Sequence, residues 1–211
     1  MIKRFAKSED GAAMVEMTIV STLLFALVLG FVDFGNAFYQ WNAATKAVQV
    51  GARLASISNP VATALATAAP IATPGAPVVA AAYGPFACTY TAGAGACSNG
   101  GSFDAANFSR IFRGDTANTN DDACPALATG QRPGMCHFFP RLHRDNVVVT
   151  YSATGLGYQT RLGGPVPTIT VSLQNVTFQF FFLQGLMGFA NITMPSMLST
   201  VTGEDLKSTS P

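Results

Sequence analysis

The stretch GAAMVEMTIVSTLLFALVLGFV, residues 11–32, decides the architecture of this 211-residue chain. From Met17 to Val32 no side chain is charged. The run from Ala12 to Val32 has the length of roughly 20 residues that an α-helix needs to cross a hydrocarbon core of about 30 Å. Its Val, Ile, Leu and Phe side chains favour insertion by roughly 5 kcal/mol, against roughly 3 kcal/mol for one charge at the midplane. Insertion therefore wins despite Glu16, which lies near the end of the span, where its cost is smaller. Lys3, Arg4 and Lys7 precede the run and the next basic residue is Lys46. That asymmetry places the short head in the cytoplasm and the remainder outside.

Past Asp33 the apolar pattern becomes one-sided. Phe34, Phe38, Trp41, Thr45, Val48, Ala52 and Ala55 recur at steps of three or four, which is one helical face. No proline occurs before Pro60, and the isolated Gly30, Gly35 and Gly51 cost about 1 kcal/mol each relative to Ala without ending a helix. A single helix from about Ala12 to Ser56 is expected, its first half embedded and its second half protruding.

The remainder divides by composition. Residues 59–85 carry Pro60, Pro70, Pro74, Pro77 and Pro85 and read as a connector with a helical turn near Val61 to Ala68. Residues 86–145, which hold all four cysteines, read as a loop-rich lobe. From residue 146 the signal is β, with strands expected at Val147 to Tyr151, Tyr158 to Leu162, Thr168 to Leu173, Val176 to Leu183 and Ile192 to Val201. Phe178, Phe180 and Phe182 alternate with Thr177, Gln179 and Phe181, giving that strand an apolar face. The apolar patch from Phe178 to Met187 is too short and too interrupted for a second span. Pro195 demotes the last segment to an edge or interrupted strand, and the polar end from Gly203 is expected to fray. The fold expected is α+β: a long N-terminal helix packed on a small antiparallel sheet, with a loop-rich lobe containing the cysteines. Its parts are a leader (1–11), a transmembrane helix (12–32), a protruding amphipathic helix (33–58), the connector, the lobe, and strands with a polar tail (146–211).

Only 11% of residues are charged and the formal net charge is +1. With no cluster of Lys or Arg beyond residue 10, nucleic acid is not expected as a partner. No G-x-S-x-G motif or phosphate-cradling loop is present, so neither an enzyme nor a cofactor is expected. The cysteines lie outside the membrane, where an oxidising compartment pairs them. Of three connectivities, Cys88 with Cys97 and Cys124 with Cys136 is favoured because neighbours close short loops, each contributing roughly 2 to 3 kcal/mol. A metal reading uses Cys124, Cys136, His137 and His143, but their spacing lacks the C-x2-C knuckle of a persuasive zinc site. The run Asp115 to Asp122 invites calcium, yet has neither the central Gly nor the distal Glu of an EF-hand loop, and reads as solvated.

Glu16 needs a reason. Should the bond after Gly11 be cut, Ala12 becomes a free amine one helical turn from Glu16. A buried carboxylate is costly unless paired, so that amine, in the same chain or a neighbour, is a natural partner and would set axial register. The alternative is a side chain that snorkels to the cytoplasmic interface.

The stretch Gly11-Ala-Ala-Met-Val-Glu16, then Val32-Asp-Phe-Gly35 with Phe38-Tyr39, then Ala47 and Gly51-Ala-Arg-Leu-Ala-Ser56, resembles the TadE-like pseudopilins of tight-adherence (Tad, Flp pilus) systems. The segment Ile192 to Leu206 carries a weaker likeness, and the middle of the chain none. The resemblance implies cleavage after Gly11 by a prepilin peptidase at the cytoplasmic face. It also implies that Glu16 is the acid that guides insertion into a growing pilus. Two features depart from the pattern: Glu9 and Asp10 stand where basic residues are common, and Met17 where Phe or Tyr is frequent. Implied partners are other pilin or pseudopilin subunits, the peptidase, the inner-membrane pilus assembly platform and membrane lipid. Because the outer domain is large, a minor pilin or pseudopilin fits better than a major pilin. The implied location is the bacterial inner membrane, single-pass, with the C-terminal domain periplasmic, or an extracellular pilus after assembly. Two other readings stand beside it. One is a soluble exported protein cut near Ala37, after Gly35-Asn36-Ala37. The other is an anchored periplasmic enzyme or metal-binding module using Cys136, His137 and His143.

Overall fold

A proline-free run dominated by apolar residues and alanine forms one continuous helix in the computed structural model, α1, Glu9–Ile57, of 49 residues. It stops where Pro60 would force the preceding residue out of the helical region and remove a backbone donor. The structure describes residues 9–68, 73–116, 121–159, 164–187 and 192–203. The basic head from Lys3 to Lys7, the end of Tyr158 to Leu162, the middle of the acidic run and the tail beyond Gly203 lie outside the described residues.

The chain divides into two compact units. In the larger, Trp41–Val176 with Met194 onward, five antiparallel strands lie in the order β2-β1-β3-β4-β5. They are β1 (Phe86–Thr91), β2 (Ala94–Cys97), β3 (Val147–Ser152), β4 (Thr168–Leu173) and β5 (Leu198–Thr202). Alternation sets the register: Val147, Val149 and Tyr151 of β3 are buried while Val148 and Thr150 are half-buried. Ile169, Val171 and Leu173 of β4 continue the same buried face opposite Tyr151, Val149 and Val147. The part of α1 that belongs to this unit packs on the sheet. The segment after Pro195 does take an edge position, as β5.

The expected face of α1 is buried in its later part, at Val48, Ala52 and Ala55, but not in its earlier part. Ala44, Ala47, Val48, Ala52 and Ala55 are buried, whereas Phe34 and Phe38 are 65% and 69% exposed. Small side chains allow a close approach that bulky ones would prevent. At Gly51 an added Cβ would lie 2.5 Å from the Met135 sulfur, and Met135 is itself fully buried.

Residues 86–140 hold more regular structure than their composition suggests. Thr91 pairs with Ala94 across a two-residue turn in which Ala92 and Gly93 both have positive φ, 52° and 83°, the geometry that matches strand twist in a tight hairpin. Helix α2 (Ala105–Arg113) begins at Asp104, whose carboxylate accepts the Asn107 N–H at 2.9 Å, and ends at Gly114 in the left-handed region. The short helix α3 is Met135–Phe138. Gly134, just before it, crosses the Gly114 backbone so closely that a Cβ there would run into the Phe112–Gly114 main chain.

Among the described residues, two expected strands are not seen as regular strands. Tyr158 and Gln159 make only isolated bridges, to Pro77 and Pro165. Between Val176 and Leu183, the single bridge Thr177 to Thr193 is followed by a turn into a short helix, α4 (Leu183–Met187). Residues from Thr177 on in this stretch belong to the smaller unit.

Candidate functional site

The smaller unit combines the described part of α1 up to Gln40 with Thr177–Thr193. Along α1 from Gly11 to Val32 most apolar side chains are exposed among the described residues. Met14, Leu23, Phe25 and Phe31 are 75%, 66%, 66% and 69% exposed, and none of the most apolar window is buried within the chain. Two of the polar interruptions are satisfied internally: the Thr18 hydroxyl donates to the Met14 carbonyl and the Thr22 hydroxyl to the Thr18 carbonyl, both at 2.8 Å. Helical backbone pairing and these two internal bonds let the threonines enter lipid without losing hydrogen bonds to water.

Gly11, Ala12 and Glu16 lie on the first turns of this helix, and all three are exposed. In the uncut chain the 11–12 peptide is part of the helix, so no amine faces Glu16. The i, i+4 relation between Ala12 and Glu16 is nevertheless preserved in the helical backbone.

At the other end of the apolar run sits a residue that sequence reasoning did not single out. Asp33 is fully buried, and its carboxylate accepts the N–H groups of Phe181, Phe182 and Leu183 at 2.8, 2.9 and 2.6 Å. Gln40 grips the same segment twice: its amide donates to the Gln179 carbonyl at 2.9 Å and its side-chain oxygen accepts the Gln179 N–H at 3.0 Å. Asn36 donates to the same carbonyl at 3.0 Å. Burial pushes the Asp33 carboxyl up, but the three backbone N–H groups outweigh it and hold it below its ordinary range. The signal that could have found it is the one that marked Glu16: Asp33 is the first charge after the uncharged run.

The cysteines are joined as Cys88–Cys97 and Cys124–Cys136. Cys88 and Cys97 are directly opposed on β1 and β2, so their bond ties an edge hairpin. Cys124, Cys136 and His137 do converge within 4.8 Å. Their donors are spent, however. The sulfurs are bonded to each other, His137 Nδ1 accepts the Gly134 N–H at 3.1 Å, and Nε2 lies 2.8 Å from the Pro125 carbonyl. His143 is engaged elsewhere, with Nδ1 3.0 Å from Asp122.

The acidic run is not simply solvated. Asp121 accepts from the buried Arg113 at 2.6 Å, and Asp115 lies 3.7 Å from it. Asp122 accepts the Arg144 N–H, while the buried Arg144 guanidinium lies over the rings of Tyr90 and Phe112 at 5.3 and 5.9 Å. These acids neutralise interior arginines.

Residues 11–53 match the TadE-like protein family. No curated protein and no solved structure matches the chain.

Proposed function

We propose, from the TadE-like domain at residues 11–53, that this chain is a minor pilin or pseudopilin, a structural subunit of a Tad-type pilus or secretion apparatus. The observation that carries the reading is a coincidence in one segment. The part that matches the family opens with a pilin-like apolar run whose most apolar window is not buried by any of the described residues. Such a surface calls for lipid before assembly and for sister helices after it.

On this reading a prepilin peptidase removes residues 1–11, and the new Ala12 amine and Glu16 carboxylate neutralise each other within one helix or between neighbours. Residues 12–32 anchor the chain in the inner membrane with the outer domain in the periplasm. The pilus assembly platform and other pilin subunits are its partners, and the subunit supports adhesion or pilus biogenesis without catalysing a reaction.

The signal-peptide alternative meets a structural objection. A cut near Ala37 would discard Asp33 and Asn36, whose hydrogen bonds hold the 177–193 segment. A disposable leader is seldom built into the fold it leaves behind. N-terminal sequencing of protein recovered from its native membrane decides between them: Ala12 at the start is the expected result, and Phe38 overturns the proposal.

A further inference from the structure

The segment 177–193 is anomalous for a water-facing connection. It contains no charged residue, and Phe181, Phe182 and Ile192 are 66%, 41% and 53% exposed. Its path is fixed by hydrogen bonds to α1. Gln179 is held at Asn36 and Gln40, and Phe181 to Leu183 are held at Asp33. From Gln179 to Leu183 the chain therefore runs back along α1 from Gln40 toward Asp33. That is a descent of about 5 to 10 Å toward the apolar run, at 1.5 Å per helical residue. It arrives at the residue that directly follows Val32.

The helix presents matching aromatics at this level. Phe31, Phe34, Phe38 and Tyr39 are 69%, 65%, 69% and 70% exposed. Between Val32 and Lys46 the only charged residue of α1 is Asp33, and its carboxylate is covered and saturated by backbone donors. The surface around the helix exit thus combines exposed aromatic rings with no charge that would have to leave water. A girdle of aromatic side chains where a span meets the headgroups is what a bilayer boundary favours.

We propose that residues 178–183 are a membrane-seated foot. On the non-cytoplasmic side, Phe181 and Phe182 enter the boundary between headgroups and acyl chains, and Asp33 clamps the segment at that depth. The inference rests on the reading of residues 12–32 as a membrane span, with which the exposed aromatic surface is continuous. The occupant is lipid, and a helix of a second copy is the competing occupant.

The test uses the full chain reconstituted in phosphatidylcholine vesicles, with the single native tryptophan removed by Trp41→Phe. Phe181→Trp and, separately, Phe182→Trp then report depth through quenching by lipids brominated high or low on the acyl chain. Both replacements are aromatic for aromatic and leave the backbone N–H groups to Asp33 in place. Phe25→Trp reports whether the span is inserted. The expected result is blue-shifted emission at position 181 or 182, quenched most by shallow bromines, with position 25 quenched by deep ones. Water-like, unquenched emission at both 181 and 182 with position 25 quenched overturns the foot and leaves the anchor standing. Blue-shifted emission that lipid does not quench, and that fades on dilution of protein in lipid, assigns the surface to a second copy and also overturns it. An unquenched position 25 overturns the anchor, and with it the foot.

Discussion

The Asp33 carboxylate accepts the Leu183 N–H at 2.6 Å across a separation of 150 residues, and the two preceding N–H groups converge on the same carboxylate. Successive N–H groups of a strand point to opposite sides, so three can meet one acceptor only where the chain turns. Asp33 therefore explains why the alternating phenylalanines of 178–182 do not form a strand. It supplies from a distant helix the acceptor that the first N–H of α4, that of Leu183, lacks locally.

Asp33→Asn keeps the shape but replaces two charged acceptors by one neutral acceptor and a donor amide, leaving at least one N–H unpaired. Amide hydrogen exchange at Phe181, Phe182 and Leu183 should accelerate on the order of tenfold or more, the scale of one lost charge-assisted bond. Unchanged exchange at all three positions would show that the clamp contributes little.

The same carboxyl has a pH signature. Because its folded-state value is depressed, the clamp contributes stability above the unfolded-state value and loses it as pH falls through the folded-state one. Protection of these three amides should therefore persist through mildly acidic solution and disappear only below the ordinary carboxylate range. Asp33→Asn should show no such step.

Tyr151 is fully buried, and its hydroxyl accepts the Val61 N–H at 3.0 Å, fastening the turn after α1 to the centre of the sheet. Burial raises its ionisation well above that of a free phenol, against a smaller opposing pull from that N–H, so it stays neutral. Tyr151→Phe strands one buried N–H and should cost about 1–3 kcal/mol, read as a lower thermal midpoint of the full chain in detergent. A midpoint equal to that of the native protein would mean that water replaces the hydroxyl.

The bridge Cys124–Cys136 closes a loop with a sequence separation of 12, and Cys88–Cys97 one of 9. Chain-entropy reasoning assigns each about 2–3 kcal/mol. The double replacement of Cys124 and Cys136 by Ser should lower stability by that amount, and the Cys88/Cys97 pair should do the same within error. Thiol titration of the denatured native protein should find no reactive cysteine until reductant is added.

What the sequence made legible was whatever one local period could encode. The unbroken apolar run marked α1, alternation marked β3 and β4, and short spacings favoured the two cysteine pairs that are bonded. The signals for α2 were also present: Asp104 as a cap, Phe108, Ile111 and Phe112 on one face, and Gly114 as a stop. They are weak because the segment is short and follows a Gly-rich stretch. The one-sided face of α1 is legible where Val48, Ala52 and Ala55 are buried, and not at its earlier positions. Ala44, Ala47 and Gly51 contribute to the buried side by close approach, while size-weighted periodicity also takes in Phe34 and Phe38, which are exposed. The clamp at Asp33 could not be read from any local window, since its partners lie in a distant segment.

Glu16 provides the sharpest test of assembly. On the exposed helix it has no apolar cover to lose, so Glu16→Ala removes a charge from an otherwise apolar run and should leave insertion intact or improve it by up to roughly 3 kcal/mol. If its role is to pair with the Ala12 amine of a neighbour, the loss appears only when subunits associate. Membrane recovery of Glu16→Ala should therefore equal that of the native chain, while recovery in sheared filaments or cross-linked assembly complexes should fall several-fold. Glu16→Asp, which keeps the charge on a shorter stem, should lie between the two. Gly11→Ala should act earlier, as an unshifted precursor band. If Glu16→Ala is recovered in assemblies as well as the native chain, the carboxylate has no part in docking, and snorkelling at the cytoplasmic interface is its whole function.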